Sequence, residues 1–309
     1  MLKGYQDDTK RLRILLSGAS GMIGTPLTAL LRHDGHAVHT LVRRTPADAT
    51  EHWWNPSGGE IEAGILEHTD VVVNLSGASI GRIPWTSSYK KTILQSRLDS
   101  TTTLANALRE ASTAPSLLVQ GSAVGFYGDQ GNSELTERSA QGEGFLADVV
   151  DQWESAASSA ESSTTRICYA RTGLVIGRGG AMAPLVLQTN LGVAGPIGKG
   201  SQWWPWISLH DEVRALAHLI THDTAFGVFN LVAPTPATAM DVTKELARKM
   251  GRPHWLGLPE FAISALMGEA GRELLLTSQR ITPERLLASG FSFEDTTLDA
   301  AIARLLAKT

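Results

Sequence analysis

Apolar residues along the chain fall into short blocks separated by longer amphipathic stretches. RILLSG, AVHTLVR, DVVVNLSG, SLLVQGS, RICYARTGLVIG and VFNLVA are rich in Val, Ile and Leu and carry few charges. Near-continuous runs of this kind match strands covered on both faces of a parallel sheet. Between them, residues 22–33, 87–111, 145–160 and 212–221 place apolar positions at helical spacing. The alternation predicts an α/β fold, a doubly wound parallel sheet with helices on both faces. After Pro234 the composition shifts: MDVTKELARKM reads as a helix, and PHWLGLPEF leads into a helical tail ending near Leu306. The expected division is a ligand-binding α/β domain over 12–234 and a small, mostly helical lobe over 235–309. Parts of that lobe are expected to be inserted near 178–205.

The 309 residues, 42% of them hydrophobic, are enough to bury a large core. A formal charge of -4 provides no long-range attraction for nucleic acid or an anionic membrane surface, so a small-molecule site is the expectation. No stretch approaches the ~18 apolar residues of a membrane span. The single cysteine, Cys168, excludes an internal disulfide and reads as a buried, inert thiol, which suggests a reducing, cytoplasmic setting. The polar lead MLKGYQDDTK reads as a tail or a linker remnant. The nine histidines show no paired-ligand spacing, so no metal site is expected.

Gly18, Gly21 and Gly24 follow a strand and open a helix, the setting that gives a glycine pattern meaning as a dinucleotide turn. The first permits the tight turn, the second lets backbone approach a pyrophosphate, and the third lets helix and strand pack closely. Ser20, Met22 and Ile23 complete the turn, whose backbone N–H groups would face an anion. The next strand ends in Arg43 and Arg44 rather than in the carboxylate expected for NAD, and guanidinium groups suit the 2′-phosphate of NADP(H). Asn74, Ser76 and Gly77 end another strand at the edge where such sheets bind ligands, although Asn74 and Ser76 equally suit strand-end capping. Ser122 and Tyr127 follow the run SLLVQGS; a hydroxyl and a phenol there could polarise a carbonyl and donate a proton, while a turn serine and a packing tyrosine are the alternative.

DVVVNLSGASI, RIPW, SRLDSTTTL, GSAVGFYGDQG, ELTE, FLADVVDQWESAA, ARTGLVIGRGGAMAPL, GPIGKGSQWWPWISLHDE and FNLVAP recur in an order that resembles an extended short-chain dehydrogenase/reductase. More narrowly they resemble its atypical epimerase-like family, labelled SulA-type nucleoside-diphosphate-sugar epimerase, with LLLTSQRITPERLLASGFSFEDTTLDAAIARLL similar to that family's terminal domain. The resemblance implies an NADP(H)-binding Rossmann fold, an oxidoreductase or epimerase, and an inward polar residue near Arg97, which composition alone would read as solvated. Ordinary members of the superfamily carry Tyr-x-x-x-Lys where this chain has Phe145-Leu-Ala-Asp-Val149, and neither Phe nor Val exchanges a proton. Other titratable candidates are Glu137, Glu154, Lys199 and His210, with Glu154 expected on the outer face of its helix and Asp211 expected to cap the helix after ISLH. Gln202 and Trp206, with Trp203 and Trp204, fall where related folds build the substrate cleft, and His210 lies just beyond. Three readings follow: an NADPH-dependent reductase of a small carbonyl or sugar-like compound, a nucleotide-sugar epimerase or dehydratase, and an NADPH-binding regulator or scaffold with little turnover. A homodimer is compatible with each.

Overall fold

The computed structural model describes residues 11–307; the polar lead lies outside them. Its strands are β1 (Arg13–Ser17), β2 (Ala37–Val42), β3 (Glu51–Asn55), β4 (Glu60–Ile61), β5 (Val71–Asn74), β6 (Leu117–Ala123), β7 (Glu134–Leu135), β8 (Arg166–Thr172), β9 (Leu174–Ile176), β10 (Trp203–Trp204), β11 (Trp206–Ser208), β12 (Gly227–Leu231), β13 (Ala237–Thr238) and β14 (Arg280–Ile281). The helices are α1 (Gly24–His33), α2 (Ser87–Glu110), α3 (Phe145–Ser158), α4 (Met182–Asn190), α5 (Leu209–Thr221), α6 (Ala239–Lys249), α7 (Glu260–Gly271), α8 (Glu284–Ala288) and α9 (Leu298–Leu306).

The main sheet has the order β12-β8-β6-β5-β1-β2-β3-β4. All neighbours in it are parallel except β3 and β4, a short antiparallel edge that the apolar pattern does not announce. Alternation of side chains explains why the strands read as continuous apolar runs. Ile14 and Leu16 join a core with α1 and α5 residues such as Leu27 and Leu216, while Leu15 between them joins the opposite core with Leu104 and Ile167. Both faces are covered, so apolar residues are favoured on each. Because β1 is flanked by β2 on one side and β5 on the other, the order of strand addition switches sides at β1 while all these strands stay parallel, and this opens a crevice at the carboxyl ends of β1 and β5.

A second core joins Met182, Leu185, Ile197, Trp204 and Trp206 to Val242, Leu246, Ile263 and Ile302. The segment around β10 therefore packs with the C-terminal helices, and the β10–β13 pair and the 197–258 bridge stitch it there. The tail then returns to the sheet: β14 pairs with β7, and Leu286 and Phe291 pack into the first core. Residues 235–307 thus span both cores.

Two local expectations are corrected. The cap of α5 is Ser208, whose hydroxyl accepts from the Asp211 N–H; Asp211 itself is buried one turn in, where it accepts from Arg214 and from the N–H groups of Glu294 and Asp295. Glu154 does not lie on the outer face of α3 but turns inward to Arg171 on β8. Both are carboxylates drawn inward by charged or N–H partners distant in the chain, which periodicity does not report.

A glycine-lined candidate dinucleotide cleft and a polar network beside it

A cleft of about 1290 Å³ opens over the carboxyl ends of β1, β2 and β5. Gly18 has φ +78°, and a Cβ there would meet the Leu75 carbonyl at 2.7 Å; a Cβ on Gly24 would lie 2.2 Å from the Gly18 carbonyl oxygen. Both glycines are imposed by the fold. Gly21 differs: its added Cβ would meet only the Gly18 oxygen, at 3.2 Å, so its other side is open to the cleft. That is the geometry a phosphate-bearing ligand needs for contact with backbone at a helix start. Ser20 lines the cleft as well, whereas the Met22 side chain packs against Gly179 and Gly180, and Met22 and Ile23 border the first core.

At the far end of the cleft stand Arg43 and Arg44. Arg44 is held by Glu51 in a two-pronged pair of 2.5 and 2.6 Å, while Arg43 is exposed and forms no ion pair among the described residues. Trp54, Asn55, Pro56 and Ser57 form a wall, and Thr92, Ser96 and Ser100 line the cleft from α2. The sequence motifs do not announce this wall; the small-polar spacing of Ser96 and Ser100 on one helix face is the signal that could have found the α2 part.

The next residues sort into lining and support. Ser76 and Gly77 line the cleft. Asn74 does not: it is enclosed, its oxygen accepting from the Ser17 hydroxyl and the Ser76 N–H, its amide donating to Thr101 and Gln120. Arg97 lies beneath Gly77, donates to the carbonyls of Ala78 and Ile93, and sits 5.0 Å from the Trp153 ring. Burial pulls its pKa down to about 10, and no carboxylate pairs with it among the described residues. A desolvated cation of this kind would gain from an anionic ligand.

Ser122 and Tyr127 belong to a closed network at the β6–β8 end of the same edge. The Ser122 hydroxyl donates to Glu154 Oε1 at 2.5 Å; Arg171 holds both Glu154 oxygens at 2.8 and 2.7 Å and donates to the Tyr127 oxygen at 3.0 Å. The Tyr127 hydroxyl donates to Asn230 at 2.7 Å, and the side chain is 0% exposed. Burial raises its pKa, with Arg171 and Asn230 pulling the other way. Tyr127 is thus placed as a bonded core residue, without access to the cleft. Phe145 and Val149 stand at the start of α3, with the Lys90 ammonium 4.2 Å from the Phe145 ring and paired to Glu269 of α7. Glu273 accepts from the N–H groups of Phe145 and Leu146 and so caps α3 from the C-terminal lobe.

The expected substrate residues have other partners. Gln202 donates to the carbonyls of Ile197 and Leu275, Trp206 is buried and donates to Thr235, and His210 pairs with Glu294 at 2.7 Å. These interactions fasten the lobe to itself and to the tail. Cys168 is buried in the first core, its thiol pushed up to about 12 by burial, which makes it a packing residue. Among the described residues no helix is long and apolar enough to cross a membrane.

Comparison with known proteins agrees with this geometry. Residues 14–231 match the model of the NAD dependent epimerase/dehydratase family, and residues 258–305 match a domain of unknown function, DUF1731. An epimerase family protein of Mycobacterium leprae is 38% identical over 296 residues, covering 96% of each chain. The crystal structure of human epimerase family protein SDR39U1, solved with NADPH, has a TM-score of 0.88 at 34% identity and covers 95% of this chain and 99% of its own. A nucleoside-diphosphate sugar epimerase of Corynebacterium glutamicum has a TM-score of 0.79 at 32% identity, covering 97% of this chain and 59% of its own. By the extent of these matches and the cleft they surround, the chain belongs to the NAD dependent epimerase/dehydratase family.

Proposed function

We propose that the chain binds NADP(H) over the β1–α1 turn and acts by oxidoreduction on a sugar-like substrate, as an atypical member of its family. The observation that carries the cofactor half is Gly21, whose Cβ position, unlike those of Gly18 and Gly24, is open to the cleft, with Arg43 at the opposite end in no ion pair among the described residues. Gly18, Ser20, Gly21, Ser76 and Gly77 would lie along the dinucleotide, Arg97 would face an anionic group, and Arg43 would take the 2′-phosphate. Bound there, the nicotinamide supplies the electron-pair chemistry; the chain supplies orientation and proton control. A sugar-like substrate is supported by the Corynebacterium relative's name and by the lobe that α7 and Glu273 hold beside α3.

The test of the cofactor half is titration calorimetry with NADPH and NADH. NADPH should bind more tightly, and Arg43→Ala should weaken it roughly ten- to a hundredfold, the equivalent of one charged hydrogen bond of about 1.5–3 kcal/mol, with little change for NADH. Tighter binding of NADH by the wild type would reject the assignment. A second reading, an NADPH-binding regulator with little turnover, is favoured by Phe145 and Val149, which have no exchangeable proton. It predicts tight NADPH binding with no cofactor oxidation or reduction across sugar nucleotides and small carbonyl compounds.

A further inference from the structure

Helix α3 opens without a side-chain cap of its own. Its N-cap residue is Gly144, at φ 115°, and the N–H groups of a helix's first turn have no partner inside it. For two of them the partner comes from the C-terminal lobe: Glu273 accepts from the Phe145 N–H at 2.9 Å and from the Leu146 N–H at 3.3 Å. A Cβ on Gly144 would lie 2.5 Å from Glu273 Oε1. The glycine is thus a socket, since a side chain there would push the carboxylate off the helix end.

Glu273 belongs to a stretch that is anchored in the lobe at both ends and leaves it in the middle. Ile263 and Met267 before it, and Leu275 and Leu276 after it, pack in the second core with Val242 and Leu246. Between them Ala270 and Leu274 pack instead with Trp85, Ile93 and Val149, and Glu269 pairs with Lys90 of α2. The excursion starts at Gly268, whose φ 59° and ψ -132° interrupt α7, and ends in a wide π-type turn over Arg272–Leu276. Backbone in that region is open essentially to glycine alone, and a Cβ on Gly268 would meet nothing within 4 Å, so this glycine serves conformation rather than packing. A few residues that absorb a large dihedral change are what a hinge requires. The docked contacts are small in number and largely polar. Burial holds the Glu273 carboxyl above its ordinary pKa, with the Leu146 and Phe145 N–H groups pulling the other way, so docking takes its charge out of water at a cost.

We propose that residues 269–274 are a hinged strap that docks the C-terminal lobe on the start of α3, with Gly144 as its socket and Gly268 as its hinge, and that undocking opens the lobe beside α3 to a ligand. The access half rests on the reading that this lobe borders a sugar-like substrate; the docking half does not. Phe145, whose N–H the strap holds, stands where ordinary members of the superfamily carry tyrosine, so docking orders the first turn of the helix at that position.

Amide hydrogen exchange by NMR on the full chain loaded with NADPH tests the docking. The Phe145 and Leu146 N–H groups have no partner within α3, so their protection reports Glu273. They should exchange at least about a hundredfold faster than the Val149 and Val150 amides of the same helix, more slowly than unstructured amides, and at a rate that low urea does not change. Protection equal to that of Val149 and Val150, with the same urea dependence, makes the segment a fixed part of the fold and overturns the proposal; absence of any protection does so too. Gly268→Ala, which keeps Glu273, should lower the protection at least about tenfold while the Val149 and Val150 amides and the NADPH Kd stay within about threefold of wild type. Unchanged protection in that variant removes Gly268 as the hinge and overturns the proposal. For the access half, UDP-glucose at a concentration shown by calorimetry to saturate should slow exchange at Phe145 and Leu146 at least about threefold; binding without slowing overturns that half. Failure of UDP-glucose to bind rejects the sugar-nucleotide reading and the access half with it, while the urea dependence still decides docking.

Discussion

At the β1–α1 end of the sheet edge, glycines keep a space open; at the β6–β8 end, a serine, a carboxylate, a guanidinium and a phenol fill it. The first end presents backbone, left accessible by the absence of side chains. The second is built from side chains contributed by β6, α3, β8 and the turn at Tyr127, each held in place by its partners. A dinucleotide can be cradled by the first kind of site with little dependence on the rest of the molecule. Proton handling needs the second, because a hydroxyl acquires direction only from its partners.

The sharpest way to break this comparison is to remove the cation at the filled end. Arg171→Ala leaves Glu154 buried without its partner and should cost about 3–5 kcal/mol in unfolding free energy by urea titration. Replacing the pair together, Arg171→Met with Glu154→Leu, should recover most of that loss. If Arg171→Ala is nearly neutral, the network is not the structural unit described.

At the open end, Gly24→Ala drives a methyl group into the Gly18 carbonyl and should cost about 3 kcal/mol, because neighbouring backbone must move. Gly21→Ala should change stability by under ~1 kcal/mol yet weaken NADPH at least about tenfold, since its methyl group occupies ligand space. Calorimetry and denaturation on the same pair of variants separate the two roles. Equal effects of both substitutions on folding would erase the distinction between glycines of packing and of binding.

A smaller, graded effect comes from Glu212, which α5 buries completely against Thr172 at the end of β8. One of its oxygens has no partner, and burial raises its pKa to about 8. An acid whose folded pKa is raised binds its proton more readily in the folded state, so its contribution favours folding at low pH. That contribution is lost as pH rises from the unfolded value near 4.5 toward 8, at up to about 1.4 kcal/mol per pH unit. Unfolding free energies of wild type and Glu212→Gln between pH 5 and 8 should diverge with this slope; parallel curves would show that Glu212 does not titrate in the window.

The narrowest expected change, confined to stability, is that of Tyr127→Phe. It removes one donor to Asn230 and one acceptor for Arg171, and should cost about 1–2 kcal/mol of stability while leaving NADPH affinity unaltered. A selective loss of turnover with unchanged stability would instead give the phenol a chemical role.

The apolar runs determined by themselves that β1, β2, β5, β6, β8 and β12 form a sheet with helices on both faces, because burial on two faces favours apolar residues at successive positions rather than at alternate ones. The glycine spacing likewise located the open turn, since backbone approach leaves its mark in the residue type alone. Polar side chains were less legible. Asn74, Tyr127, Glu154, Asp211, Gln202 and Trp206 each bear groups suited to a site or a surface, and each is directed by a partner that local spacing does not encode. Arg171 lies 17 residues from Glu154, and Asn230 lies 103 from Tyr127. Only the tertiary structure brings those partners together, and a polar group in a low-dielectric interior takes its orientation, its charge and hence its chemistry from the groups that satisfy it.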